Sequence, residues 1–181
     1  MVNIQHYLLI LSFILLVACA AIQTEHEALN FSLGKEKWVA VSIDEIKNKY
    51  LIINFIREGD EINEWLETVS ITNHKIIKTN LHSPEKELLK FKQGVEKKCP
   101  GATSWFVIEK NKSSIVFEWK TKPCLDTHSL YGVGKIIIGK YDIFQVIYAT
   151  RELLVLPSMR IKWIKKISSA KIEKQLKQKK H

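Results

Sequence analysis

Apolar and polar residues alternate along much of the chain after residue 37, in short stretches separated by Gly, Asn, Asp and Lys. This pattern is typical of β-strands joined by turns. The predicted strands are Trp38–Ile43, Tyr50–Ile56, Trp65–Ile71, Ser104–Glu109, Ser114–Lys120, Lys135–Ile138 and Tyr141–Ala149. Tight junctions at Lys110–Lys112 and Gly139–Lys140 favour antiparallel hairpins.

Two segments have instead the three- and four-residue spacing of amphipathic helices. Ser83 and Pro84 are typical of a helix N-terminus, and Pro100–Gly101 of a helix end. The apolar positions of this first helix are Leu88, Phe91, Val95 and Cys99, and those of a second helix after Pro157 are Trp163, Ile164, Ile167 and Ala170. The order β-β-β-α-β-β-β-β-α predicts an α+β fold, a mainly antiparallel sheet covered by two helices.

The N-terminus differs from this pattern because Tyr7–Val17 is an uncharged apolar run. Its length fits the core of a signal peptide and is short of the ~20 residues that span a bilayer. The sequence Leu16-Val17-Ala18-Cys19 resembles the lipobox of bacterial lipoproteins. The resemblance implies that Cys19 receives a diacylglycerol on its sulfur, that residues 1–18 are removed as a signal peptide, and that lipids hold the mature chain to a membrane.

Residues 1–6 contain no Lys or Arg, whereas export signals carry positive charge there. An ordinary signal peptide cut near residues 18–20, or an uncleaved anchor, therefore remain alternatives to lipidation. In the enteric sorting pattern an Asp after the lipidated cysteine retains a lipoprotein at the inner membrane, and here Ala20 stands there. The resemblance thus implies the outer membrane, with the protein facing the periplasm.

Composition and charge predict how the rest of the chain is organised into a tether, a domain and a tail. With 46 % hydrophobic and 26 % charged residues it is typical of a globular protein, and its length fits one domain. We expect a lipidated tether over residues 19–35, one α+β domain over 36–170 and a basic tail over 171–181. The net charge is +9, and the candidate residues for binding anionic lipid, lipopolysaccharide phosphates or an acidic partner are Lys174, Lys177, Lys179 and Lys180. A merely solvated tail is the alternative.

The two remaining cysteines form an even pair in a chain that we expect to enter an oxidising compartment. A disulfide between Cys99 and Cys124 is the simplest interpretation. Two free thiols remain an alternative, and a catalytic Cys99 is a weaker one because no His lies near it in the sequence.

Five segments with spaced Trp and Cys positions carry a resemblance that covers most of the mature chain. They are Glu64–Ile71, Cys99–Gly101, Glu118–Trp119, Cys124 and Val146–Glu152. Together they look similar to small exported or lipid-anchored domains of Gram-negative bacteria. The resemblance implies one domain with a disulfide. It gives no indication of an activity.

The sequence contains no motif of a known catalytic, nucleotide or metal site. Its histidines lack the spacing that gathers metal ligands on one element, so we expect no metal and no cofactor. We expect no nucleic-acid partner, because the chain is expected to be exported and has no recognition module. Glu67 shares a strand face with Trp65 and Val69, and we expect it to be partly buried beside Arg151 or a lysine.

Five tryptophans are numerous for this length, and most of them should lie in the core. An exposed pair on one sheet face would mark a binding groove, for which Trp65 and Trp119 are the candidates. We expect a non-enzymatic envelope lipoprotein that acts as an interaction or accessory module on the periplasmic side. The alternatives are a hydrolase of cell-wall or lipid material and a periplasmic inhibitor or immunity protein.

Overall fold

The computed structural model describes residues 25–46, 49–76, 82–124, 128–152 and 154–176. The strands among them are β1 (Glu25–Asn30), β2 (Trp38–Ile46), β3 (Tyr50–Arg57), β4 (Glu67–Lys75), β5 (Thr103–Lys110), β6 (Ser114–Thr121), β7 (Leu130–Ile138), β8 (Asp142–Thr150) and β9 (Lys171–Leu176). The helices are α1 (Pro84–Lys98) and α2 (Pro157–Ser168). Of the described residues, those within 27–173 form one compact unit, and residues 25–26 with 174–176 belong to a second.

A seven-stranded antiparallel sheet in the order β2-β3-β4-β8-β7-β6-β5 dominates the first unit. It consists of two meanders, β2-β3-β4 and β5-β6-β7-β8, which are joined where β4 pairs with β8. The predicted α+β class, with a mainly antiparallel sheet and two helices, is confirmed. The outer strands of the sheet are β2 and β5.

The two helices cover opposite faces of this sheet. Phe117 and Trp119 on β6 belong to an apolar cluster with Leu88 of α1, whereas Val116 belongs to a cluster with Trp163 of α2. Successive side chains of a strand point to opposite faces, so α1 and α2 lie on different sides of β6. The apolar stripes predicted for both helices are therefore the ones that pack on the sheet.

Two glycines of β7 allow aromatic rings on the α1 side of the sheet to lie close to its backbone. A Cβ atom built on Gly132 would lie 2.3 Å from the Trp119 ring, and one on Gly134 would lie 2.6 Å from Phe117. Glycine at both positions leaves room for these aromatic side chains, which lie on the neighbouring strand β6.

Local capping explains where α1 begins. The Ser83 hydroxyl accepts a hydrogen bond from the Lys86 amide at 3.3 Å, and Pro84 occupies the first turn. The acidic side chains of Glu85 and Glu87 lie at the positive end of the helix dipole. The predicted start of this helix is confirmed.

The C-terminus of α2 is held by a buried cation of the sheet in addition to a local cap, in which the Ser169 hydroxyl donates to the Lys166 carbonyl at 2.7 Å. Lys135 on β7 is 8 % exposed, and its Nζ donates to the carbonyls of Ser168 at 2.6 Å and Ala170 at 2.8 Å. The last carbonyls of a helix lack partners within the helix and carry its negative dipole end. Burial lowers the pKa of Lys135 because it disfavours the charged form of the side chain. The two carbonyl oxygens stabilise that charge.

Aromatic packing holds the middle of α2. Trp163 is fully buried, and its ring stacks on Tyr148 of β8 with centroids 3.8 Å apart. The ring of Trp38 on β2 meets the same tryptophan edge-on at 5.9 Å. Trp163 thus links α2 to both meanders of the sheet.

The ends of the described chain differ from the predicted tether and tail. β1 and β9 form a two-stranded sheet in segments that we expected to lack strands. The Glu27 carboxylate accepts backbone hydrogen bonds from Lys140, Tyr141 and Asp142, at 2.7, 2.9 and 3.1 Å, at the turn between β7 and β8. The compact unit therefore extends beyond the predicted residues 36–170 at both ends. Contacts between residues so far apart in the sequence leave no periodic pattern from which they could be predicted.

We expect Lys135→Met to lower the free energy of unfolding by about 1–3 kcal/mol, because it leaves helix-end carbonyls without their buried donor. Urea denaturation at neutral pH measures this change. Lys165→Met, on the exposed side of α2, is the matched control and should shift it by less than about 0.5 kcal/mol. Equal effects of the two variants would show that Lys135 does not hold the helix end.

Candidate interaction surface

The two edge strands of the sheet carry exposed apolar side chains. On β5, Phe106 is 57 % and Val107 is 53 % exposed, and on β2, Ile43 is 65 % exposed with Val39 and Ile46 beside it. Within the described residues, each of these strands has a neighbour in the sheet on one side only. Unpaired main-chain groups next to exposed apolar side chains form a template on which another strand adds.

Helix α1 packs on β6 and β7 and reaches β5 through side-chain contacts. Glu85 of α1 forms an ion pair with Lys110 at 2.9 Å, and Lys92 lies over the Trp105 ring at 5.4 Å. Leu89 lies between these two contacts on the same side of the helix and is 54 % exposed. The β5 surface therefore includes one face of α1.

A bulge divides each edge strand. The register of β2 shifts between Ala40 and Ser42, and that of β5 shifts between Val107 and Glu109. Bulges bend a strand and interrupt pairing, so the regular stretches are Ser42–Ile46 and Thr103–Val107. We call these stretches the β2 edge and the β5 edge.

The two edges belong to parts of the chain with opposite charge. Residues 38–76 contain seven acidic and four basic residues, whereas residues 82–124 contain five acidic and nine basic residues. Asp44 and Glu45 are exposed on β2 itself. The exposed lysines of the β5–β6 hairpin and of the segment after it are Lys110, Lys112, Lys120 and Lys122.

The buried carboxylates form structural ion pairs. Glu67 accepts hydrogen bonds from Arg57 Nε at 2.5 Å and from the Tyr148 hydroxyl at 2.6 Å. The expected partner was Arg151 or a lysine, and that prediction is wrong. Arg57 comes from the neighbouring strand β3, and Arg151 instead lies 4.2 Å above the Trp65 ring.

Glu118 ties α2 to β6 in the same way. Arg160 of α2 donates to both of its carboxylate oxygens at 2.8 Å, and Tyr131 donates at 3.1 Å. Burial, together with the neighbouring carboxylate, raises the pKa of Tyr131. The pKa of Tyr148 is also raised, by burial and by its hydrogen bond to Glu67. Both phenols therefore stay protonated as hydrogen-bond donors.

The two tryptophans predicted for binding do not form an exposed pair. Trp119 is 4 % exposed and packs against Phe91 of α1 and Trp105, with ring centroids 5.3 and 5.9 Å away. The assignment of Trp119 to a binding surface is therefore corrected, because α1 covers its face of the sheet. Trp65 is half-buried under the Arg151 guanidinium.

Several predicted site residues lie outside the described residues. These are Cys19, Lys177, Lys179 and Lys180. Lys174 lies in β9, and its side chain is exposed.

A disulfide joins Cys99 and Cys124, whose Cα atoms are 5.7 Å apart. It connects the end of α1 to the segment that follows β6. The predicted cysteine pair is confirmed at disulfide distance.

A groove of about 550 Å³ lies where β5 and β6 approach this segment. Its lining includes Thr103, Lys120, Lys122, Tyr131 and Glu152. No histidine or cysteine lies among the described residues that line it. Elsewhere in the described ranges, no three His, Cys, Asp or Glu side chains gather into a group suited to a metal ion.

No described helix has the length and apolar character needed to cross a bilayer. Comparison with models of known protein families gives no match for this chain, and comparison with curated proteins finds no relative either.

Tyr131 and Tyr148 should not ionise with ordinary phenols when the folded protein is titrated to alkaline pH. We expect Tyr131→Phe and Tyr148→Phe to leave the rise in tyrosinate absorbance around pH ~10 unchanged, because the folded-state pKa values lie higher. In denaturant, each variant should show a smaller rise in tyrosinate absorbance than the wild type. The raised pKa values stabilise the fold below pH ~10, and this contribution is lost as pH rises through them. A smaller rise in the folded variants would contradict the assignment.

Proposed function

We propose that this chain is a lipid-anchored protein of the cell envelope, held at the outer membrane through Cys19. Its α+β domain faces the periplasm and binds other proteins through the edges of its sheet. The observation that carries this proposal is the exposed apolar character of the β2 edge and the β5 edge. Main-chain groups at the edge of a sheet are otherwise hydrogen-bonded to water, and they can pair with a strand of a partner, so these edges favour an interaction role.

The disulfide supports the proposed location. Structural disulfides persist in oxidising compartments and are rare in reducing ones. A bond between Cys99 and Cys124 therefore agrees with an exported domain. The basic end of the chain, to which Lys174 belongs, is suited to anionic phospholipid or lipopolysaccharide at the membrane surface.

A hydrolase has less support, because the buried carboxylates of the described residues are occupied by cations. The pairs are Glu67 with Arg57, Glu87 with Lys90, Glu118 with Arg160 and Asp142 with Lys75. Each of these carboxylates is held by its cation as part of the fold, so the four pairs have a structural role. An inhibitor or immunity protein remains compatible with an interaction module and would be one form of it.

Lipidation is tested by metabolic labelling. We expect the wild-type chain to incorporate labelled palmitate and to partition into detergent, and Cys19→Ser to lose both properties. The matched control is Cys99→Ser with Cys124→Ser, which removes the disulfide and leaves Cys19 in place. Unlabelled wild-type protein would overturn the lipid anchor.

The interaction role is tested with a photocrosslinking amino acid at position 107 in cells. We expect ultraviolet light to give covalent adducts with protein from position 107 on the β5 edge. The same amino acid at position 165, on the exposed side of α2, should give few adducts. Equal adduct formation at the two positions would show that the β5 edge is not a preferred contact surface.

A further inference from the structure

We infer that the groove beside the disulfide binds a small zwitterionic ligand, a short peptide with a free ammonium group and a free carboxylate. The ammonium group of the ligand meets Glu152, and its carboxylate meets Lys120 and Lys122, three residues that line the groove. This inference goes beyond the proposed function, because it concerns a small ligand and not a strand added at an edge of the sheet.

The floor of the groove lies on the α2 side of the sheet. Ser104, Lys120 and Tyr131 are register partners on β5, β6 and β7, so their side chains share one face of the sheet. Glu118, on the same face of β6, binds α2 and thereby identifies this face. The residues of the opposite wall precede α2 and are Glu152, Leu154 and Val155.

The walls of this groove are held in place by the fold. The disulfide links two lining segments, one that follows α1 and one that follows β6. Between the same segments, the Lys122 amide donates to the Ala102 carbonyl at 3.0 Å. On the opposite wall, the Glu152 amide donates to the hydroxyl of buried Thr150 at 3.1 Å. A site formed in advance loses less free energy to ordering when a ligand binds.

The charged side chains that line the groove are not paired with one another. Lys120 and Lys122 are exposed, and neither forms an ion pair with an acidic residue in the described part of the chain. The half-buried Glu152 likewise has no cation bound to its carboxylate among the described residues. The Nζ atom of Lys120 lies 6.0 Å from the ring centre of Tyr131 on the floor. Opposite charges therefore line one groove without neutralising each other, unlike the ion-paired carboxylates of the interior.

A buried hydroxyl in the lining also lacks a partner. The Oγ atom of Ser129 is buried and forms no hydrogen bond within the described residues, whereas the hydroxyl of Tyr131 donates to Glu118. A buried polar group without a partner costs free energy, and a polar atom of a ligand supplies that partner. The apolar residues of the lining include Pro123, Leu130, Leu154 and Val155.

A ligand that carries both charges fits this lining better than a ligand with one. An anion would meet the lysines but face the carboxylate of Glu152, and a cation would bind Glu152 but face two lysines. A short peptide has both charges at its termini, amide groups for the hydroxyl of Ser129, and side chains for the apolar part of the lining. The groove volume of about 550 Å³ lies within the range of small-ligand pockets.

The test is a calorimetric titration of the full chain in a nonionic detergent, with the disulfide intact and the tripeptide Ala-Leu-Ala as the probe. We expect saturable binding with a Kd of about 1 mM or tighter. The N-acetylated tripeptide lacks the ammonium group, and the tripeptide amide lacks the carboxylate. Each should bind about tenfold more weakly than the free tripeptide, because each loses one charge-assisted contact.

Variants assign each charge of the peptide to its partner in the groove. Glu152→Gln should bind the free and the N-acetylated peptide equally and still prefer the free peptide to the amide. Lys120→Met with Lys122→Met should bind the free peptide and the amide equally and still prefer the free peptide to the N-acetylated one. Each comparison is made within one variant, so a change in stability does not imitate it. The matched controls are Glu61→Gln and Lys165→Met, two exposed positions outside the groove, and they should bind like the wild type.

Three outcomes would overturn the inference. The first is no saturable binding of the free tripeptide to the wild type at about 10 mM. The second is equal binding of all three peptides, which would show that the groove does not recognise their termini. The third is tighter binding of phosphoethanolamine, which has an ammonium group and a phosphate but no amide or apolar side chain, and this result would assign the groove to a lipid head group. Crosslinking from position 107 tests the edge of the sheet separately, so the proposed function stands or falls independently of these results.

Discussion

The pairing of β4 with β8 is the contact on which the rest of the structure depends. It runs from Glu67 opposite Thr150 to Lys75 opposite Asp142, and it joins two meanders that are separated in sequence by α1. With this pair in the centre, β2 and β5 necessarily become the edges of the sheet. The same pairing places Glu67 near Tyr148 and gives α2 a continuous surface on which to pack.

Polar contacts in the interior fix the position of α2 on that surface. Lys135 holds its C-terminus, Arg160 binds Glu118 near its start, and Trp163 stacks on Tyr148 between them. Buried charges are costly unless they are paired, and removing one partner leaves the other uncompensated. These contacts therefore favour one orientation of the helix over others in which its apolar face would also be buried.

The edges differ from the interior because nothing in the described fold completes them. β5 has the exposed apolar side chains of Phe106 and Val107 before its bulge and the charged residues Glu109 and Lys110 after it. Asp44 and Glu45 are exposed on β2, and the exposed residues next to the apolar stretch of β5 include both Glu109 and Lys110. A domain with exposed apolar side chains at its sheet edges is suited to contacts between proteins.

The sequence by itself determined the seven strands of the main sheet, both helices with their apolar stripes, and the cysteine pair, because those features follow from local spacing and residue type. Only the tertiary structure decided that Trp119 is core, that Arg57 rather than Arg151 partners Glu67, and that Glu27 binds a turn formed by residues 140–142. The segment Trp105–Ile108 is as apolar as a central strand of the sheet. Only the strand order shows that it lies at an edge and is exposed. Strand order depends on contacts between residues far apart in the chain, and these contacts cannot be deduced from local periodicity.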